Sequence, residues 1–353
     1  MTNLQLANYA NLTLYGAMVA LAVAMLAFAV YVAFAPRPRL RSVAPATRAQ
    51  ERAAVLVGAD ARRPADEGVS PVDEARPAAD GELPAVDDQE PTVGGRAARA
   101  GQLGLTLTWL SLMFLLASVV CRGLAVNRVP VANMFEFAVF GSMLAIGLYL
   151  GLGMRWPIRW LGLFVVTPVL LILGLALAVW YSPAAELLPS LQSLWLAIHV
   201  PIATLAVAMF TIAFSVLLLQ LVKERREARV ARAGREDGEA VGPSFLDTLP
   251  SGATLDRIAY SLHIVAFPLW TFSVIAGAIW AQQAWGSYWN WDPKETWTFV
   301  IWVIYAAYLH ARATSGWSRR TANMLAIAGY VAIIINFAVV NMYFVGQHSY
   351  SGL

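Results

Sequence analysis

The residues best suited to chemistry in this sequence lie in one short segment between two apolar runs. The segment Trp280–Trp297 reads WAQQAWGSYWNWDPKETW and holds five of the thirteen tryptophans. Tryptophan offers a flat, partly polar surface that suits a large planar ligand. An aromatic belt at a membrane boundary is the alternative, but a belt accounts for one or two such residues at a span end. The candidate contact residues are Trp280, Trp285, Tyr288, Trp289, Trp291 and Asp292.

Two histidines are candidate metal ligands beside this segment. His199 lies in WLAIHVP and His348 in GQHSY, each at one end of a long apolar run. Two imidazoles flanking an aromatic platform would suit the two axial positions of a haem iron. The alternative interpretation is a pair of interfacial histidines that hydrogen-bond to lipid or to the backbone.

The other two histidines lie deeper in apolar runs. His310 comes fourteen residues after Thr296, which corresponds to roughly 21 Å of helix. It is a candidate for a second, intramembrane iron ligand on a route from the cytoplasm, or for an interhelical hydrogen bond. For His263 a structural role is favoured, although pairing with His310 across a helix interface is an alternative.

Charged residues near the aromatic segment could contact the carboxylates of such a ligand. Asp292, the proline after it and Glu295 resemble a capping arrangement that begins a helix. The N–H groups of that helix start, together with Lys294 and Arg128, are candidate partners for haem propionates. Glu136 could orient an external histidine or Arg128, or it could lie at the interface without a partner.

The composition predicts an all-α polytopic membrane protein. The chain is 59% hydrophobic and only 13% charged, whereas soluble domains have about 25% charged residues. A net charge of +3 over 353 residues does not indicate nucleic-acid binding. The single cysteine, Cys121, excludes an internal disulfide.

The apolar runs predict eight transmembrane helices with both termini external. With the N-terminus outside, 22 of the 25 basic residues fall in cytoplasmic loops, as the positive-inside rule requires. The Trp-rich segment, the start of the fifth span and the C-terminal tail then share the external side. The predicted spans are Leu12–Phe34, Leu103–Arg122, Ala132–Leu152, Ile158–Trp180, Leu194–Val222, Ile258–Gln282, Thr296–Arg312 and Ala322–Val345.

Three regions are expected along the chain. Residues 1–35 form an N-terminal transmembrane helix that is too long for a signal peptide. Residues 36–102 are rich in Ala, Pro and charged residues and are expected to be a disordered cytoplasmic linker. Residues 103–353 form the main membrane domain with the loop 280–297. A second polar stretch, Glu224–Ser251, is similar to the linker, although Lys223–Arg235 could prolong the fifth helix.

The Trp-rich segment resembles the "WWD" signature of haem-handling proteins in cytochrome c maturation. Within that group the chain is similar to the CcsA-type subunit of the System II cytochrome c synthetase, also called CcsB or ResC in bacteria. The resemblance covers roughly Leu103 to the C-terminus and includes the sequences NMFEF, WLAIHV, IWVIYAAYLH and GQHSY. The N-terminal third is not part of this pattern.

The resemblance implies a role for each candidate residue. His199 and His348 correspond to the two external histidines that hold haem, and His310 to the intramembrane histidine that receives it. The family's second membrane histidine lies on a partner, a ResB-type subunit. The cargo is haem b, bound transiently and presented to the CxxCH motif of an apocytochrome c.

The expected function is therefore haem delivery at the plasma membrane as part of a holocytochrome c synthase (haem lyase) complex. The expected partners are the second System II subunit, the apocytochrome and the lipid bilayer. The alternatives are a membrane electron-transfer cytochrome b, which never releases its haem, and a haem-free assembly factor.

Overall fold

The computed structural model describes residues 2–34, 95–184, 193–236 and 242–348. Within these ranges the protein consists of helices and connecting loops and has no strands, which confirms the all-α class. The eight long helices are α1 Asn3–Phe34, α2 Gly95–Val126, α3 Met134–Gly153, α4 Gly162–Val179, α5 Leu194–Glu236, α6 Gly252–Trp285, α7 Pro293–Ala313 and α8 Arg319–Ile334. A π-helical turn, Ile335–Val340, and a short helix, Asn341–Tyr343, continue α8.

Seven of the eight described helices are long and apolar enough to cross a membrane, so the protein is a multi-pass membrane protein. The exception is α7. At its end, Arg312 forms a bidentate ion pair with Asp256 at the start of α6, at 2.9 and 3.0 Å. At its start, Lys294 contacts Asn341 just beyond α8. Through these contacts α7 reaches both ends of the bundle, but it is not among the helices long and apolar enough to cross a membrane, so the eighth crossing stays a prediction.

Local hydrogen bonds explain where several helices begin. The side chains of Asn133, Ser251 and Ser318 accept hydrogen bonds from backbone amides in the first turn of α3, α6 and α8. Asp292 begins α7 in a reciprocal capping box with Glu295. Such caps satisfy amides that the first helical turn leaves without partners. The predicted cap at Asp292 is thus confirmed.

The first two helices pack together and against α4. Phe28 of α1 is fully buried and lies over Gly162. A Cβ atom at Gly162 would lie 2.5 Å from the Phe28 ring. Small residues allow this close approach, which is how helices gain packing contacts inside a membrane.

The end of the bundle that carries Arg312 is held by a buried polar cluster. Asn323 of α8 donates to Gln220 of α5 at 2.9 Å and to Asp256 at 3.3 Å. Arg226 forms an ion pair with Asp247 at 2.6 Å. These contacts join α5, α6, α7 and α8, so four helices have fixed relative positions at this end.

Some boundaries differ from the prediction. Helix α2 begins at Gly95, inside the predicted linker 36–102, and residues 36–94 lie outside the described part of the chain. Helix α5 continues to Glu236, as the alternative for Lys223–Arg235 proposed. The 3₁₀ turn Phe245–Thr248 was not predicted. It forms because the Ser244 cap and the distant Arg226 hold Asp247.

Candidate functional site

A large cavity lies at the end of the bundle that carries the Trp-rich loop. The centres of water-sized molecules fit within about 200 Å³ of it, and all the empty space between its lining residues, open solvent at the mouth included, is about 1320 Å³. It extends along α6 from Trp280 to Trp270, which is about 15 Å of helix. Its wall is mostly apolar and comes from α3, α5, α6 and the π-helical turn; the lining residues there include Phe137, Val200, Ala203, Val207, Val274 and Phe337.

His199 of α5 lines the cavity and is held against α6. Its Nδ1 lies 2.7 Å from the backbone oxygen of Ser273 and 3.1 Å from the Ser273 hydroxyl. The ring stacks on Trp280 with an interplanar angle of 12° and a centroid separation of 6.4 Å. The imidazole is therefore positioned both by its Nδ1 contact and by an aromatic face.

His348, beyond α8, lines the same cavity from the C-terminal segment. Its Nδ1 lies 3.0 Å from the Asp292 carboxylate. Its ring meets Trp285 edge-on at a centroid distance of 4.6 Å and Trp280 at 5.8 Å. Trp280 thus contacts both histidines, which are 149 positions apart in the sequence.

Asp292 connects the start of α7 to the C-terminal segment. Its carboxylate accepts hydrogen bonds from the amides of Lys294 at 3.1 Å and Gln347 at 2.7 Å, besides its contact with His348. Burial raises the pKa of this carboxyl, but the hydrogen bonds with His348 and Gln347 outweigh burial and hold the pKa below its ordinary value. The group is therefore a carboxylate at neutral pH.

This pair of imidazoles has the arrangement that metal-binding histidines use. A ligating histidine commonly donates one ring N–H to a carboxylate or a backbone carbonyl, which fixes its tautomer and orientation. His199 has a carbonyl partner and His348 a carboxylate partner, each at Nδ1. An imidazole held through Nδ1 coordinates a metal through Nε2. The donor set therefore fits the two axial positions of a haem iron.

Within the described part of the chain, four buried polar atoms at the cavity have no hydrogen-bond partner. They are Trp280 Nε1, Trp289 Nε1, Glu295 Oε1 and Asn336 Oδ1. Because an unsatisfied buried polar group costs about 1–3 kcal/mol, such a cluster is typical of a site that receives a ligand with polar groups. The wall that holds them thus offers both donors and acceptors.

The aromatic residues of the loop differ in their placement. Tyr288 and Trp289 line the cavity, although Tyr288 is 61% exposed. Trp285 reaches the site through its contact with His348. Trp291 is 69% exposed, has a positive φ of 57°, and meets the Trp289 ring edge-on at a centroid distance of 5.8 Å.

Lys294 lines the cavity, but its ammonium group is held by neutral oxygens. It donates to the backbone oxygen of Asn336 at 3.0 Å and to Asn341 Oδ1 at 2.7 Å. Asn336 belongs to the π-helical turn, a distortion that is frequent at functional sites. Lys294 thereby joins the start of α7 to the segment that leads to His348.

Glu136 does not contact either external histidine. Its fully buried carboxylate pairs with Arg122 at 2.9 Å and with Arg128 at 2.7 Å. Of the alternatives for Glu136, the structure therefore supports its pairing with Arg128. Ala132 and Asn133, which line the cavity, hydrogen-bond to this carboxylate and to its backbone amide. The ion pairs thus hold the loop before α3 against the cavity.

The structure does not bring the two deeper histidines to the cavity. His310 lies near the end of α7, and its side chain is exposed on the outer surface of the bundle. His263 is buried between Phe210, Tyr305 and Tyr308 and bonds to the oxygen of Ala259 in its own helix. Because one ring is buried and the other faces outward, the alternative in which they pair is not supported.

Comparison with known proteins places this site in a family. The sequence model of the family described as "Cytochrome C assembly protein" matches residues 128–348, which contain the whole cavity and both cavity-lining histidines. The chain belongs to the cytochrome c assembly protein family. The match begins at Arg128, so α1 and all of α2 lie outside the part that the family shares.

Three relatives of this cytochrome c assembly protein share one name. The protein called "Cytochrome c biogenesis protein CcsA" from Parasynechococcus marenigrum is 32% identical over 268 residues, which cover 72% of this chain and 87% of the relative. The protein of that name from Gloeobacter violaceus is 32% identical over 71% of this chain and 87% of the relative. The one from Prochlorococcus marinus is 35% identical over 68% and 82%. The resemblance to CcsA-type subunits is thus confirmed.

Sequence reasoning missed several residues that shape the site of this cytochrome c assembly protein. Ser273, Gly277 and Gly346 contact the histidines or Asp292, and Asn336 and Asn341 hold Lys294. Small and amide side chains are common in membrane helices, so none stood out. The one available signal was the four-residue spacing of Ser273 and Gly277, which places both on one helix face.

Proposed function

We propose that this protein receives haem b in the membrane and presents it at the cavity for covalent attachment to an apocytochrome c. Membership of the cytochrome c assembly family supports the role in cytochrome c assembly. The observation that carries the haem assignment is the pair of cavity-lining imidazoles, each held through Nδ1 and both in contact with Trp280. Two neutral imidazoles saturate the axial positions of haem iron and shield it from other ligands.

The cavity suits the shape and polarity of this cargo. Its apolar inner part would surround the macrocycle, and the indoles of Trp280 and Trp289 would supply stacking surface and N–H donors. Lys294, which lines the cavity and already donates to Asn336 and Asn341, would supply a further N–H donor for a propionate. The surrounding helix packing holds these groups in place before the cargo arrives.

Attachment itself needs no oxidant or reductant. Each cysteine thiol of a CxxCH motif adds across one vinyl double bond, so that sulfur bonds to one vinyl carbon and hydrogen to the other. The task of the protein is to hold haem so that its vinyl edge meets the thiols. That orientation is the role of His199, His348 and Trp280. The exposed Tyr288 and Trp291 lie beside the path by which the apocytochrome would reach the haem.

His310 is assigned to an earlier step on the same route. Its outward-facing position on α7 leaves it accessible to a second membrane subunit. A ResB-type partner would supply the opposite axial histidine, so haem would be held between two chains. From there it would pass to the cavity, on the external side of the plasma membrane. This chain would thus be one subunit of a holocytochrome c synthase.

The test is the absorption spectrum of the purified protein and its partner before and after dithionite. The wild type should show a low-spin, bis-histidine b-type spectrum. His199→Ala and His348→Ala should each lose at least about tenfold in haem affinity and should stop cytochrome c maturation. His263→Asn, which changes a histidine outside the cavity, is the matched control and should keep the spectrum.

The outcomes separate this proposal from its alternatives. Normal cytochrome c maturation in both external variants would refute the ligand assignment. Retained haem with cytochrome c maturation that is independent of this protein would indicate an electron-transfer cytochrome b. A haem-free preparation that still binds apocytochrome would indicate an assembly factor. An unchanged haem load in His310→Ala would remove His310 from the route.

A further inference from the structure

His199 lies unusually close to the backbone of α6. A Cβ atom at Gly277 would lie 2.7 Å from His199 Cε1, 2.9 Å from Nδ1 and 3.3 Å from Nε2. These three ring atoms are the nearest atoms to that position. Apart from the backbone of α6 itself, the imidazole is therefore the described group that lies nearest to Gly277.

Ser273 lies one turn before Gly277 on the same face of α6. Its backbone oxygen and its hydroxyl both contact His199 Nδ1, and its hydroxyl also donates to the His199 backbone oxygen at 3.3 Å. A hydroxyl that donates its only hydrogen to that oxygen can meet Nδ1 only as an acceptor. Both contacts therefore favour a hydrogen on Nδ1 and a lone pair on Nε2.

We propose that Ser273 and Gly277 are positioning residues for His199: Gly277 admits the ring against α6, and Ser273 sets its tautomer. This inference rests on the proposed function, since it assigns the residues that make His199 a ligand. The role of Gly277 is specific to the imidazole. A glycine inside a helix is less favourable than alanine by about 1 kcal/mol, so its presence needs a close contact to explain it.

The test is a double-mutant cycle on Gly277 and His199 in the full-length chain with its partner. The readouts are haem affinity, the low-spin spectrum and thermal stability in detergent. Gly277→Ala should lower haem affinity by about 10- to 100-fold, as expected when the support of a metal ligand is lost. The matched control is Gly174→Ala, because a Cβ atom at Gly174 would meet no atom of the described residues within 4 Å.

The variants made in the His199→Ala background distinguish positioning of the ring from general packing. In the His199→Ala background, Gly277→Ala should cause no further loss of haem and should leave stability unchanged or higher, because the clashing ring is gone. Ser273→Ala should cause a smaller loss than Gly277→Ala, since the backbone oxygen remains. Ser142→Ala, at another buried serine, is its control.

Each result decides one question. If Gly277→Ala behaves like Gly174→Ala, the inference is overturned. The same holds if Gly277→Ala destabilises the protein equally with and without the His199 ring. If Gly277→Ala fails to accumulate but the double variant accumulates, the clash with the ring is demonstrated. If His199→Ala itself keeps wild-type haem, the ligand assignment of the proposed function fails, and the cycle then tests packing alone.

Discussion

Asp292→Asn separates the two roles of Asp292, which are to begin α7 and to orient His348. Asparagine and aspartate are equally good N-caps, so the helix start should be retained within about 0.5 kcal/mol. The site cannot be retained in the same way. One carboxylate oxygen accepts from Gln347, and the other meets both the Lys294 amide and His348 Nδ1. An amide side chain can place its oxygen on only one of these sides.

Either orientation of the asparagine brings a donor against a donor. If its NH₂ group faces His348, it also faces the Lys294 amide, so the cap is lost, and the ring must take the other tautomer with the hydrogen on Nε2. If its NH₂ group faces Gln347, a buried amide loses its partner, at a cost of about 1–3 kcal/mol. The orientation that keeps the Lys294 cap leaves His348 a neutral acceptor in place of a charged one, so we expect about tenfold lower haem affinity with the helix intact.

Asp292→Ala provides the contrast. It removes the cap, worth about 1 kcal/mol, and the charge-assisted hydrogen bonds, so the unfolding free energy should fall by about 2–4 kcal/mol. The assays are haem titration by absorbance and thermal unfolding in detergent. Wild-type haem affinity in Asp292→Asn would refute the role of the Asp292 charge in supporting His348, and equal destabilisation by both variants would refute the separation of roles.

The pH dependence follows from the lowered pKa of Asp292. A carboxyl with a depressed folded-state pKa stabilises the protein above its ordinary value, near 3.8, and loses that contribution as pH falls through the folded value. The stability difference between wild type and Asp292→Ala should thus be constant from pH 8 to about pH 5 and shrink below about pH 4. A difference that vanishes already near pH 6 would contradict this assignment.

Three further predictions concern the scaffold, each measured by unfolding of the purified chain in detergent. Glu136→Gln should destabilise by about 3 kcal/mol, because two buried arginines lose their shared carboxylate; a neutral effect would contradict the ion-pair geometry. Asp256→Asn should destabilise by about 2–3 kcal/mol, and adding Arg312→Met should recover much of it, since the uncompensated charge is removed. Gly162→Ala should destabilise by about 1–3 kcal/mol by crowding Phe28, whereas Gly174→Ala should not.

Features that depend on neighbouring residues were predictable from the sequence. Long apolar runs predict helices that cross a bilayer, because the runs alone satisfy its thickness. The cap at Asp292 was predictable because its partners lie within three residues. The candidate histidines stood out because ionisable groups are rare in apolar segments. Family resemblance rested on the same local motif, the Trp-rich loop.

Features that depend on contacts between distant residues were not predictable. His199 and Ser273 are 74 positions apart, and Asp292 and His348 are 56 apart. Helical periodicity shows which residues share a face of one helix, but it does not show which helix that face meets. The support of each imidazole at Nδ1 therefore emerged only from the packing.

The outward orientation of His310 was decided in the same way. A depth estimate from helical rise places a residue along the axis but leaves its direction around the axis open. The sequence by itself determined an all-helical membrane protein with an aromatic loop and candidate histidines, because those properties are local. The tertiary structure alone decided that two histidines share one cavity, that Gly277 gives one of them room, and that the third faces outward, because these depend on how the helices pack together.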